Sequence, residues 1–309
     1  MMTGLPLDQV RTLLAAVDEG TFEAAAEALH VTASAVSQRV KALEQRTGRV
    51  LLLRSKPVRL TASGEIVARF GRQLARLEQD AVAELGLSEA AGPPTLSVGV
   101  NADSLATWFL PALAETVRTV DVCFDLHRDD QDHTALLLRQ GRVMAAVTSS
   151  PEPVQGCSVR PLGRMVYRAF ATPAFAARHL AGGPLAELLP AAPVVLFDRK
   201  DDIQDGFLRR IAPGRLVPGR PRHYVPASES FVGAVVAGLG WGMLPDAQAA
   251  PHRAAGTLVD LAAGDTMDVP LYWQQWKLDS PPLAALAAAV ARTAAAALSQ
   301  DPQVRTRSS

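Results

Sequence analysis

The stretch AEALHVTASAVSQRVKALE, Ala26–Glu44, decides how this chain is read. His30-Val31 makes a short turn, Thr32 offers a hydroxyl to cap a helix, and Ala33–Thr47 follows as that helix, ending at Gly48. Within it Val36, Val40 and Leu43 recur at helical spacing and form a buried stripe, which leaves Ser34, Ser37, Gln38, Arg39 and Lys41 facing outward. Upstream, Leu7, Val10, Leu13, Leu14 and Val17 mark a first helix stopped by Gly20. Thr21 then caps a second helix with Ala24, Ala25, Ala28 and Leu29 on its inner face, where small side chains admit close approach. Short helices, a tight turn and a third helix bearing hydrogen-bonding side chains describe a helix-turn-helix. Downstream, Val50–Leu60 is rich in β-branched and basic residues, bends at Pro57, and predicts a β wing carrying Arg54, Lys56 and Arg59.

Charge points the same way. The 309 residues carry 31 basic and 31 acidic side chains, yet Ala35–Arg76 holds ten basic residues opposed only by Glu44 and Glu65. Such a local excess suits a phosphate backbone. A hydrophobic content of 48% is that of a globular chain and excludes disordered and fibrous classes. The longest stretch without a formal charge, Ser230–Pro245, is shorter than the ~20 apolar residues of a membrane-spanning helix. The N-terminus lacks the basic and apolar regions of a signal peptide, so no membrane partner is expected and the location is read as cytoplasmic. Cys123 and Cys157 match neither a disulfide scaffold nor a zinc cluster and read as buried free thiols.

Ile66, Phe70, Leu74, Leu77, Ala81 and Leu85 form the stripe of an amphipathic linker helix, with Arg69, Arg72, Arg76, Glu78 and Glu84 on its other faces. That stripe needs a cover, either a second subunit or its own domain. LSEAAGPP, Leu87–Pro94, is a hinge by composition. Strands Thr95–Asn101, Asp121–His127 and Val143–Thr148 then alternate with helices Ser104–Val117 and Thr134–Gln140, an order that predicts a parallel sheet covered by helices. A second set starts near Met165, with strands Val166–Ala171, Val194–Phe197 and Tyr224–Pro226 and helices Asp202–Ile211 and Ser230–Val236. Leu271–Trp276 and the alanine-rich Leu283–Leu298 close the chain.

The spacing of AAxxLHVT, AVSQxVxxLE, LxxR and LTxxG through Ala25–Gly64 resembles the winged helix-turn-helix of LysR-type transcriptional regulators. VNADSLATWFLPAL (Val100–Leu113), DDQDHTALLLRQG (Asp129–Gly141), GLGWGMLP (Gly238–Pro245) and VPLYWQQWKLDSP (Val269–Pro281) extend the resemblance over nearly the whole chain, to the ArgP/LysG branch. Members of that branch respond to basic amino acids and regulate arginine or lysine export. Ala33 departs from the pattern, standing where many members carry a base-reading Gln or a Pro. The resemblance implies an α/β chain with an N-terminal winged helix-turn-helix, a linker helix that pairs subunits, and a two-lobed effector domain like that of periplasmic binding proteins. It divides the chain into a DNA-binding domain at 1–62, a linker and hinge at 63–92, a first lobe at 93–164 completed by 268–309, and a second lobe at 165–267. A homodimer or homotetramer is implied, with double-stranded DNA and RNA polymerase as macromolecular partners.

Ligands of open α/β sheets sit beyond the carboxyl ends of the strands. Asn101, Asp103 and Ser104 follow the first strand and open a helix whose N-terminus, with the Ser104 and Thr107 hydroxyls, suits a carboxylate. Asp129, Asp130, Asp132 and His133 follow the second strand and Thr148 ends the third, while Ser228 and Glu229 approach from the second set. An anion-binding helix end beside carboxylates complements L-lysine or L-arginine, the expected effector. Plainer roles exist for each: Asp103 and Ser104 as caps, the acidic cluster as a solvated turn, Glu229 on its own helix dipole, Trp273 and Trp276 as core or hinge packing. A hydrolase built on Ser104, His133 and Asp132 lacks the G-x-S-x-G elbow, and a metal site at Asp129, Asp130 and His133 lacks a recognised spacing. No enzymatic activity, metal or cofactor is expected. An architectural DNA-binding protein would explain the basic module but give the α/β lobes no use.

Overall fold

The threonine caps set the N-terminal module. Thr21 and Thr32 each accept the backbone N–H three residues on, from Ala24 at 3.1 Å and Ala35 at 3.2 Å, and so start α2 (Phe22–Ala28) and α3 (Ala33–Thr47) behind α1 (Leu7–Asp18). The computed structural model describes residues 4–85, 92–128 and 131–300, without the side chains of Asp80, Ala83, Glu84, Gln131, Asp132 and His133; most of the expected hinge lies outside it. Val10, Leu13, Ala16, Val36, Val40 and Leu43 close a small core with Leu51, Leu52 and Val67. The inner face of α2 is Phe22, Ala25, Ala26 and Leu29 rather than one including Ala24 and Ala28, and Ala28 is exposed. The cap at Thr21 fixes the phase of a two-turn helix, and the i, i+3, i+4, i+7 stripe starts at Phe22. β1 (Leu52–Leu53) and β2 (Arg59–Leu60) pair antiparallel as the wing. The Glu44 carboxylate anchors it by accepting from Leu51 N at 2.8 Å.

α4 (Ala62–Glu84) is the linker helix. Ile66, Phe70, Leu77, Val82 and Leu85 remain exposed along it and at its end. Arg69 and Arg76, counted above with the phosphate-facing charges, are buried instead, and Arg72 pairs with Asp18 of α1. Arg69 donates to Arg139 O at 3.4 Å, Arg72 to Gln140 O, and Arg76 to Thr95 O at 3.5 Å. Two of those carbonyls belong to the C-terminal turn of the helix Gln131–Gln140, where unpaired C=O groups attract cations. At that junction Gly141 has φ +72° and lies so close to α4 that a Cβ would stand 2.9 Å from Arg69 Cα.

The remaining chain alternates as expected, with additions. In order come β3 (Thr95–Val100), α5 (Ala102–Ser104), a π-helical turn Leu105–Phe109, α6 (Leu110–Thr116), β4 (Cys123–Arg128), α7 (Gln131–Gln140) and β5 (Ala145–Thr148). Next are β6 (Cys157–Ala171), α8 (Pro173–His179), α9 (Leu185–Leu188), β7 (Val194–Leu196), α10 (Ile203–Ile211), β8 (Arg222–Tyr224) and α11 (Ser228–Val236). The end is β9 (Gly242–Pro245), α12 (Asp246–Ala254), β10 (Val259–Asp260), β11 (Met267–Trp276) and α13 (Pro281–Ala297).

β3 runs parallel to β4 and β5, as the alternation requires. The sheet as a whole is mixed: seven strands in the order β10-β6-β11-β5-β3-β4, with β9 also on β6 and with β6 and β11 antiparallel. β7 and β8 form a separate parallel pair. The strand expected at Val166 begins nine residues earlier, at Cys157, so the boundary placed at 164/165 falls inside β6. Pro161 and Gly163 hide this half from a strand reading. Gly163 has φ +128°, and the segment just after α13 packs against it with Ser299 O 2.9 Å from a would-be Cβ. The β6–β11 register shifts at Leu271/Tyr272. Trp273 and Trp276 are buried in the core, Trp273 with its ring 6.3 Å from that of Phe109. Both cysteines are free, but only Cys157 is buried; Cys123 opens the edge strand β4 and is exposed. Among the described residues no helix is long and apolar enough to cross a membrane.

Candidate DNA-binding face and ligand cleft

Ser34, Gln38 and Lys41, at i, i+4 and i+7, form the exposed line of α3, and Ser37 and Arg39 flank it half-buried. Ser34 shares a 3.0 Å hydrogen bond with the capping Thr32. On the wing Arg54, Lys56 and Arg59 are exposed, with the Arg54 guanidinium 5.9 Å from the centre of the Phe22 ring. A surface of amide, hydroxyl and cationic groups on a rigid helix matches base edges and phosphates together.

A cleft of about 810 Å³ opens at the ends of β3, β4 and β7. Asp103, just past β3, meets the opposite wall: its carboxylate accepts from Tyr167 Oη and from Ser228 Oγ, each at 2.7 Å. Burial and then the charge of Asp103 push the Tyr167 phenol well above its ordinary pKa. Asp201, in the loop after β7, accepts from Phe197 N at 2.8 Å and Ile203 N at 3.2 Å. Burial outweighs those hydrogen bonds and the one from Gln204, and repulsion from Asp103 adds to it, so the Asp201 carboxyl is raised above the usual aspartate range. Asp198 shapes the loop by accepting from Lys200 N and Asp201 N at 2.7 and 3.0 Å. Arg128, at the end of β4, lines the same cleft.

Of the residues expected at the ligand, Asn101, Asp103 and Ser228 line this cleft. Ser104 does not: it is wholly buried, because the Asn101 side chain caps its N–H at 3.3 Å and turns it inward. Thr107 donates to Asp103 O at 2.6 Å and borders, with the exposed Glu229, a separate depression of about 370 Å³. Thr148 is buried between Ser150 O and Gln274 Nε2, both at 3.2 Å. Asp130 lies outside the described residues, as do the side chains of Asp132 and His133. Asp103 occupies the first turn of the helical run that follows β3, so a carboxylate ligand there would meet an acid. Sequence reading missed Tyr167, Asp198, Asp201 and Gln204. The signal was present: DRKDDIQ follows the strand at Val194 as NADS follows β3, and the strand-end rule applies to both.

Two family descriptions match the chain: "Bacterial regulatory helix-turn-helix protein, lysR family" over residues 7–65 and "LysR substrate binding domain" over residues 90–295. The chain is 46% identical over 299 residues to the HTH-type transcriptional regulator LysG of Mycobacterium tuberculosis, covering 97% of this chain and 96% of that one. It is 42% identical over 283 residues to the lysine export transcriptional regulatory protein LysG of Corynebacterium glutamicum, covering 91% and 95%. The solved structure of full-length C. glutamicum LysG with bound effector Arg superposes with a TM-score of 0.81 at 41% identity, over 95% of this chain and 99% of that one.

Proposed function

Because this chain belongs to the LysR family of bacterial regulatory helix-turn-helix proteins, we propose that its operator affinity is controlled by L-arginine or L-lysine held in the cleft between Asp103 and Asp201. DNA contact is assigned to Ser34, Ser37, Gln38, Arg39 and Lys41 of α3 and to Arg54, Lys56 and Arg59 of the wing. The observation that carries the effector reading is the pair Asp103 and Asp201. They share one cleft, and each is held by neutral donors while repelling the other. A ligand cation placed there relieves that repulsion and makes charge-assisted hydrogen bonds. The ligand then lies with its cations on the aspartates and its carboxylate toward Arg128, not toward the start of α5. Asp130 and Asp132 follow β4, whose last residue Arg128 lines the cleft, and are retained as a further source of negative charge.

The exposed stripe of α4 is assigned to pairing of subunits, giving a homodimer or a homotetramer built as a dimer of dimers, with RNA polymerase as the partner in transcription and the cytoplasm as the site of action. Thermal unfolding of the full chain with each amino acid tests the effector reading. Arginine or lysine should raise the melting temperature where leucine does not, since a ligand of the native state stabilises it. No shift with either basic amino acid at millimolar concentration refutes it.

A further inference from the structure

One acceptor of the cleft wall stands without a donor among the described residues. Gln204 lines the cleft, is 1% exposed and has its side chain beside Asp201, yet its Oε1 is buried without a hydrogen-bond partner there. A buried carbonyl in that state costs stability until a donor arrives. Gln204 sits in the first turn of α10, three residues beyond Asp201, and both side chains line the same cleft. The turn itself is held in place: Arg220, almost wholly buried, pairs with Asp205 one residue on.

Resting on the reading of the cleft as a basic amino acid site, we infer that Gln204 determines specificity, making the cleft prefer arginine over lysine. A guanidinium is planar and carries five N–H donors, so two can serve one carboxylate in parallel while a third reaches a neighbouring acceptor. It is also one bond longer than the lysine side chain and less strongly hydrated, which lowers the cost of reaching a buried wall. The lysine ammonium is a compact, strongly hydrated charge with three diverging donors. It satisfies Asp201 but leaves the Gln204 oxygen as it was. The α-ammonium, common to both ligands, takes Asp103 and does not discriminate.

Calorimetric titration of the full chain with L-arginine and L-lysine tests this in the wild type, in Gln204→Met and in Gln204→Glu. The wild type should bind arginine about tenfold more tightly than lysine, the worth of one hydrogen bond to a charged donor. Gln204→Met should lose most of that factor for arginine while lysine affinity changes by less than about threefold. Gln204→Glu keeps an acceptor and should hold or widen the preference. Equal loss of both ligands in Gln204→Met, a lysine preference in the wild type, or a collapsed ratio in Gln204→Glu overturns the inference. If neither amino acid binds the wild type, the effector reading itself fails.

Discussion

Leu77→Asp should dissociate the proposed dimer. Leu77 is 45% exposed on the outer stripe of α4, between Phe70 and Leu85, with no cover over that surface among the described residues. Fully burying a leucine contributes about 1.5–3 kcal/mol, so the uncovered half is worth roughly 1 kcal/mol per subunit. A carboxyl group in its place enters an apolar contact without a partner, at a further cost of about 1–3 kcal/mol. Two-fold symmetry applies both losses twice, giving about 4–8 kcal/mol and a dimer weakened by about 10³–10⁶-fold. Sedimentation velocity over a concentration series reads this directly, with circular dichroism to verify that the monomer is folded. Glu78→Ala is the control: its pair with Arg11 is exposed on both sides and contributes at most ~1 kcal/mol. Operator affinity should fall with the dimer, because the two half-sites are no longer engaged together. A folded Leu77→Asp protein with the dimer constant of the wild type would falsify the assignment of this stripe to subunit pairing.

Gln38→Ala should cost about 1–3 kcal/mol on the preferred operator and relax base choice at one half-site position, whereas Arg54→Ala should weaken every sequence alike and lower the salt slope by about one. Binding-site selection at two salt concentrations separates them. Asp201 has a folded-state pKa raised by burial, so its protonated form favours the ligand-free fold, and that contribution is lost as pH rises through the raised value. A bound cation favours the charged form instead. Arginine affinity should therefore climb as pH rises through the same window, with proton release seen by calorimetry in two buffers, and Asp201→Asn should flatten the pH dependence. Burial pushes the Cys157 thiol up to about 11 while Cys123 is exposed; a thiol reagent at pH 8 should modify one cysteine in the native chain and two in denaturant.

The N-terminal module was legible because its signals are local. Threonine caps, a three-residue stripe and a polar outer line all fall within one helix of each other, and only the phase of α2 slipped. The arginines of α4 show where local reasoning stops. Arg69 and Arg76 look like Arg39 and Arg46 in composition, and nothing nearby in sequence announces that carbonyl groups some seventy residues from Arg69 will receive its guanidinium. β6 was half-missed for a related reason: Pro161 and Gly163 are poor strand residues that long-range pairing with β11 tolerates. In the cleft, Asp103 and Ser228 were both expected among the lining residues, but their bond to each other spans 125 positions and was beyond any periodicity. Ser104 does not line the cleft: the Asn101 cap holds its N–H and the residue is buried.

The ladder joining β6 to β11, unbroken in partners from Tyr167↔Met267 to Cys157↔Trp276 apart from its one shift, limits how such a chain can be rearranged in evolution. The main apolar cluster it supports includes Leu96 and Val147 from the first half of the region and Val194, Phe207 and Trp241 from the second. Most of the core is therefore shared between the halves, the second adding only a smaller cluster around Phe170, Phe231 and Leu244, and a gene segment ending within the ladder would leave an unpaired strand edge prone to aggregate. The winged module has its own core and can be exchanged. New sensitivities must arise inside the cleft by point substitution, while new operator preferences can arrive whole.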